Sequence, residues 1–447
     1  FNLVVKSGRY QEPYWENGGD GFYDMSFYVG QNNTSSTIND ITYYSYPGFR
    51  YITVEGGKFG SMNGGRGTND IEQYADPDDV VSSIRIKGGN FNGSVFGGAA
   101  DNPTRGSRRI VITGRQVNEQ PTTLIRGWVA GGCSGNGQSG SGYANMNGNS
   151  YIYVGGNAII GGDDPITVNT TPGGNVFGAG RGKTTFDEPY SQYSVNVDQT
   201  AYMNTTNVVV ADDALVSNDV YGGGYHGYVR YVSNVFILGG TVGHDVYGGA
   251  YHHGHTPPIP ATRVHIRGGN VKGKVFGGSN YLGNVGIEGA SPDDEDGNNA
   301  IVWMTGGTVG TTGSLDNGFV FGGSNGINTK ILSNTRVHIN GGLVVNNVYG
   351  GGNLGQVEGK ATVYIEGGDV GDEHSDVNPI KGNVYGGGKG ISGSGDKTYV
   401  NEAEVNVIGS YVMGSVFGGG ENGHVWTNTV VNVEGGQVGG FKNDLSS

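Results

Sequence analysis

Apolar and polar positions alternate strictly over short runs, and most of these runs end in a pair of glycines. One unit reads apolar-x-apolar-x-Gly-Gly-x-apolar and then closes on Val-Phe/Tyr-Gly-Gly. Val264-His265-Ile266-Arg267-Gly268-Gly269-Asn270-Val271 with Val275-Phe276-Gly277-Gly278 is one copy. Val337-His338-Ile339-Asn340-Gly341-Gly342-Leu343-Val344 with Val348-Tyr349-Gly350-Gly351 is another. Twelve such units align along the chain. Their first apolar column is Ile52, Ile84, Ile110, Ile152, Val208, Val235, Val264, Val302, Val337, Val363, Val405 and Val431. The second is Val54, Ile86, Ile112, Val154, Val210, Ile237, Ile266, Met304, Ile339, Ile365, Val407 and Val433, so only Met304 is neither Val nor Ile. A period of two carried by β-branched side chains predicts half-buried strands. The glycine pair supplies a corner where φ can turn positive.

The shortest spacing between equivalent positions is 26 residues, from Val337 to Val363 and from Val405 to Val431. That is too long for a tight hairpin and too short for a propeller blade, which needs about 40 residues and four antiparallel strands. The expected fold is therefore all-β: a parallel β-solenoid, or β-helix, right-handed by the crossover rule. It has about twelve or thirteen coils and a minimum repeat of 26 residues. At about 4.8 Å per coil it would form a rod roughly 60 Å long. The Val of each closing element should point inward, with its aromatic neighbour lying against glycines of the adjacent coil. Residues 1–50 are expected to form a first coil plus a Tyr-rich capping segment, and 51–447 a single elongated run of repeats. Leu3-Val4-Val5 already fits the repeat, and Gly436-Gln437-Val438 falls within a coil, which reads as a piece of a longer rod or a subunit stacking on its neighbour. The longer insertions, at 163–174, 291–299 and 372–382, are where loop-borne specificity would sit.

Composition narrows the class. The chain of 447 residues holds 90 glycines in pairs and triplets, not at every third position, so it is not collagen. With 35% hydrophobic and 10% aromatic residues it has enough apolar surface for a core. Charged residues are only 15%, and 26 Lys and Arg against 40 Asp and Glu leave a net charge of −14, which disfavours nucleic acid as a partner. There is no stretch of 18 apolar residues and hence no helical membrane span. A single cysteine, Cys133, excludes an internal disulfide framework.

Candidate chemistry is sparse. The outward position between the two apolar columns carries Tyr153, Val209, Phe236, His265, Trp303, His338 and Tyr364, then Asn406 and Asn432. Repeated aromatics on one outer face could stack on sugar rings or pack against another chain; the alternative is cross-strand pairing that only stabilises the sheet. On the surface reading Trp303→Ala should leave stability nearly intact, whereas Val264→Asp or Ile339→Asp should unfold several coils. Gly224-Tyr225-His226 and Ala250-Tyr251-His252 occupy equivalent positions, with His253 and His255 beside the second. Stacked imidazoles suit Zn²⁺, and surface histidines in a polar loop explain the same residues. The acidic run Asp293-Asp294-Glu295-Asp296-Gly297-Asn298 resembles part of a calcium loop but has Thr305, not Glu, at the twelfth position counted from Asp294, and reads as a solvated loop. Gly18-Gly19-Asp20-Gly21-Phe22-Tyr23-Asp24 resembles the calcium-binding Gly-Gly-x-Gly-x-Asp nonapeptide, once and not in tandem. Asp212-Asp213 replaces the glycine corner of its coil and reads as a turn variant. Arg85-Ile86-Lys87 resembles an element of polygalacturonase-type hydrolases, but it stands ahead of where that family places it and no Gly-His-Gly accompanies it. Glycosidic cleavage needs two carboxylates about 5–10 Å apart, and the sequence assembles no such set.

The Val-Phe/Tyr-Gly-Gly-Gly units resemble the glycine-rich β-solenoid repeats of large bacterial cell-surface and adhesin-like proteins, over nearly the whole chain. The resemblance implies an extracellular or cell-surface, non-enzymatic rod, structural or adhesive, that self-assembles or binds a surface. Its expected partners are a second copy or another surface protein, with glycan as a further candidate. No cofactor is expected, with Ca²⁺ or Zn²⁺ the two ions to test. The competing reading is a carbohydrate-active β-helix enzyme, a polysaccharide lyase or glycoside hydrolase, or a glycan-binding protein. A carboxylate cluster converging with a basic residue in a groove would favour it.

Overall fold

The computed structural model describes residues 2–6, 11–14, 21–24, 27–28, 35–38, 41–44, 50–64, 80–98, 104–117, 120–134, 146–162, 167–168, 171–182, 203–252, 257–294, 297–372, 382–393 and 397–440. These are strands, turns and bends with no α-helix among them. The chain forms a parallel β-solenoid in two compact units, residues 1–218 with 223–230, and residues 219–222 with 231–447.

Each unit is built on rows of like residues in parallel register. In the first unit Leu3 pairs Ile52, which pairs Ile84, then Ile110, Ile152 and Val208. In the second, Val235 pairs Val264, followed by Val302, Val337, Val363, Val405 and Val431. The alignment columns of the sequence are thus the register rows of the sheet. From Val235 to Val405 these residues are fully buried. The closing elements make a second row, Val246, Val275, Val320, Val348, Val384 and Val416, also parallel. A third runs through Val285, Ile331, Val357, Val400 and Val425.

The glycines act in two ways. The second member of the corner pair has positive φ, as at Gly269 (72°), Gly342 (85°) and Gly368 (78°). In the first unit Asp212 takes the left-handed conformation (φ 56°), and its Oδ2 accepts from the Gly156 amide at 2.8 Å and the Tyr153 hydroxyl at 2.9 Å, so it is a turn variant as expected. The glycine after each closing aromatic is required for a different reason: there the backbones of successive coils come too close for a β-carbon. Hydroxyls inside the core reach the same glycines, Thr262 Oγ1 donating to Gly277 O at 2.6 Å and Thr335 Oγ1 to Gly350 O at 2.7 Å.

The closing aromatics pack otherwise than expected. In the second unit they lie on one another: Tyr221, Tyr247, Phe276, Phe321, Tyr349, Tyr385 and Phe417 form one stack with centroids 4.7–5.0 Å apart and planes within 12°, whereas in the first unit Phe177 packs edge-on against Trp128 and Tyr225. In-register parallel strands place identical positions one strand spacing apart, close to the optimum for stacked rings. Of the segment expected to form a cap, the described parts include two antiparallel pairs, Gln11–Tyr14 with Gly21–Asp24 and Ser35–Ile38 with Ile41–Tyr44, and a short strand, Phe27–Tyr28, that pairs in parallel with Met62–Asn63.

Candidate functional site

The outward residues singled out in the sequence are brought into one row. In the second unit Phe236, His265, Trp303, His338 and Tyr364 are successive register partners. Their ring centroids are 4.8, 4.6, 6.0 and 4.6 Å apart, with interplanar angles of 16° or less. They are half-buried or, for His338, buried. Each inner ring is covered on both faces by its neighbours, so the row presents edges outward and leaves no inner ring face open for a sugar to stack on. Burial, reinforced by Arg267 and Arg263, pushes His265 down to about 4 and keeps it neutral inside the stack. Beyond Tyr364 the row continues as amides, with Asn432 Nδ2 donating to Asn406 Oδ1 at 2.8 Å. Tyr153, in the first unit, pairs Val209 and donates to Asp212.

A second row lies just ahead of the closing aromatics, where a side-chain oxygen accepts from the backbone amide of its equivalent in the next coil. Asp219 Oδ1 accepts from Asp245 N at 2.9 Å, and Asp245 Oδ1 from Lys274 N at 2.7 Å. Asn347 Oδ1 accepts from Asn383 N at 2.9 Å, and Asn383 Oδ1 from Ser415 N at 2.8 Å. Asp219 Oδ2 and Asp245 Oδ2 accept from the hydroxyls of Tyr221 and Tyr247, two residues on, at 3.0 and 2.9 Å. At Tyr349 the direction is reversed, Asn347 Nδ2 donating to the hydroxyl at 3.0 Å. Exposed His244 joins the cluster through Nδ1, 2.5 Å from Asp219 Oδ1 and 3.9 Å from Asp245 Oδ2. The bond to Asp219 outweighs burial and holds His244 up to about 9, while burial raises Asp245. Among the described residues this is the one group of three His, Cys, Asp or Glu side chains with ligand atoms close enough to share a metal, all within 4.8 Å. Yet every carboxylate oxygen already accepts a hydrogen bond, so the group is satisfied as a charged structural knot. Two carboxylates and a base do converge here, with each of the four carboxylate oxygens bonded at least once within the fold.

No protein-family model, curated protein or solved structure matches the chain.

Of the four histidines read as a zinc set, His253 and His255 lie outside the described residues. His226, in the first unit, is buried and packs edge-on against Tyr225 at 4.4 Å. His252, in the second, is buried and stacks on Tyr281 at 5.4 Å. Glu295 and Asp296 of the acidic loop also lie outside the described residues; Asp294 O accepts from Gly297 N at 3.2 Å and closes a turn. Arg85 and Lys87 alternate with buried Ile84 and Ile86 and point outward, as expected of surface residues.

The sequence reading missed a cleft of about 710 Å³ in the second unit, lined by Asn284, Glu288, Gly289, Ala290, Lys330, Leu332, Ser333, Asn334, Glu358 and Gly359. Its floor is the third strand row. Because Val285, Ile331, Val357 and Val400 point inward, their neighbours Asn284, Lys330, Gln356, Glu358 and Tyr399 point out. Lys330 Nζ donates to Glu358 Oε1 at 2.9 Å, and the Tyr399 hydroxyl donates to the same oxygen at 2.7 Å. Burial would raise Glu358, but these two donors overcome it and hold the carboxyl below its usual range. Burial and Glu358 push Tyr399 up to about 12. The cleft is therefore lined by a fixed anion and a cation, the anion held from behind by a protonated phenol. The signal in the sequence was a lone Val or Ile five or six positions ahead of the first column, as at Val229, Ile259, Ile331, Val357, Val400 and Val425.

Proposed function

We propose that the chain is a non-enzymatic, extracellular structural or adhesive solenoid. One observation carries this reading: side chains that could do chemistry are paired with their own equivalents in neighbouring coils, ring on ring, amide on amide, carboxylate on backbone amide. Such rows rigidify a scaffold and leave few groups free to move protons. The same rows suit a chain that associates with a second copy or another surface protein, since they present a regular outer face. The resemblance of the glycine-rich repeats to bacterial surface and adhesin-like proteins supports the extracellular setting. The cleft around Glu358 favours glycan binding over cleavage, because a general acid needs a raised carboxyl pKa and Glu358 is held down.

The test is incubation of the purified chain with a panel of neutral and uronate polysaccharides, scoring reducing ends and unsaturated products, alongside electron microscopy over a concentration series. The reading expects no product at any pH from 4 to 9. Product formation lost in Glu358→Gln or in Asp245→Asn would overturn it in favour of a lyase or hydrolase.

A further inference from the structure

We propose that the cleft lined by Lys330 and Glu358, with Tyr399 bonded to Glu358 behind it, is a binding site for a neutral saccharide. The inference rests on the adhesive reading and gives it a ligand. The cleft volume of about 710 Å³ falls within the range of small-molecule sites, about 300–1,000 Å³. Both donors to Glu358 use Oε1, and Oε2 has no partner among the described residues. Lys330 Nζ has a single acceptor, Glu358 Oε1, which leaves two of its three N–H groups to donate outward. An open carboxylate oxygen beside an ammonium with spare protons is complementary to vicinal hydroxyls, each of which donates once and accepts once. Leu332 and Ala290 supply a small apolar wall against which the C–H face of a pyranose can lie.

Charge selects among sugars. Glu288 and Glu358 face the cleft against one lysine, and the chain carries a net charge of −14, so uronates and sulfated sugars are repelled. The pair is also in place before any ligand arrives. Tyr399 anchors Glu358 from the next coil, and Lys330 stands in register with Gln356, two residues from Glu358 on the same strand. Preorganisation of this kind lowers the ordering cost of binding.

Calorimetric titration of the purified chain with gluco-, manno- and galacto-configured neutral hexasaccharides, with a hexauronate as control, tests the site. At least one neutral sugar should bind saturably and the hexauronate should not. Lys330→Met and Glu358→Gln should each weaken binding about tenfold, the loss of one charge-assisted hydrogen bond, with the thermal midpoint kept. Trp303→Phe, in the ring row, should bind as the unaltered chain does. Absence of saturable binding by any neutral sugar, preference for the hexauronate, or unchanged affinity in both cleft variants overturns the site. Binding lost in Trp303→Phe but not in the cleft variants would move adhesion to the ring row and leave the adhesive reading standing. Sugar cleavage would overturn the scaffold reading and leave the site in place.

Discussion

At Gly277 a β-carbon would sit 2.2 Å from the carbonyl oxygen of Gly322, and at Gly322 and Gly350 it would meet the next coil's carbonyl at 2.3 Å. Backbone cannot yield as a flexible side chain can, so alanine here pushes two coils apart. Gly277→Ala should lower stability by about 1–3 kcal/mol, the usual cost of overpacking, read as a lower urea midpoint with unchanged slope. An effect within error would show that the coils separate freely at this corner. The sequence made the glycines visible but not the distinction between them. A left-handed corner such as Gly269 is a local property, readable from a Gly-Gly after a strand. The requirement at Gly277 comes from a carbonyl 45 residues away, and no local pattern encodes it. Likewise Tyr247 could be read as an aromatic of the repeat, but its bond to Asp245 shows only when both are seen on one coil edge.

The ring rows act at the scale of the strand pair. Trp303 lies between His265 at 4.6 Å and His338 at 6.0 Å and is half-buried. Trp303→Ala should therefore cost about 1–3 kcal/mol, two aromatic pairs at about 0.5–1.5 kcal/mol each. That replaces the expectation of near-neutrality, and circular dichroism melts of the variant check it; an unchanged midpoint would mean the row contributes no stacking energy. The row was legible because an outward position repeated with the register. Its closure into a stack was not, since spacing alone does not say whether rings lie flat on the surface or face each other. The cleft was less legible still. Its strand row, Val285 to Val425, shows in the sequence only as one or two apolar residues at a time, too short to score as alternation.

For the molecule as a whole, two histidines set opposite limits on the pH range. His244 is raised from 6.5 to about 9 by its bond to Asp219, with Asp245 favouring and Lys274 opposing the charge. The folded chain keeps a proton that the unfolded chain releases above 6.5, so this stabilisation is full below that pH and disappears as pH climbs through about 9. His265 is lowered from 6.5 to about 4 by burial, Arg267 and Arg263, so its contribution is full above 6.5 and lost as pH falls toward about 4. Denaturant midpoints measured from pH 4 to 9 should peak near neutrality. His244→Asn should flatten the alkaline limb and His265→Gln the acid limb. High salt should weaken the alkaline limb more, because His244 is exposed and screened. A profile rising or falling monotonically across the range would contradict both assignments.

Register has a consequence for how such a chain changes length. Thr335 is paired with Ala361, Val337 with Val363, His338 with Tyr364 and Val348 with Val384. Excising residues 335–360 would join Asn334 to Ala361 and seat the paired strand positions where their equivalents had been, the insertion before Val384 staying as a loop, with Trp303 then meeting Tyr364 and Phe321 meeting Tyr385. The shortened protein should fold, with a cooperative melt close to that of the parent, while an excision running six residues further, into the strand that carries Val363 and Ile365, should not. It would also lack Glu358 and lose the cleft. For a gene encoding such repeats, gain or loss of one coil is then a single, nearly neutral event, and length becomes a trait that selection can adjust without redesigning the fold.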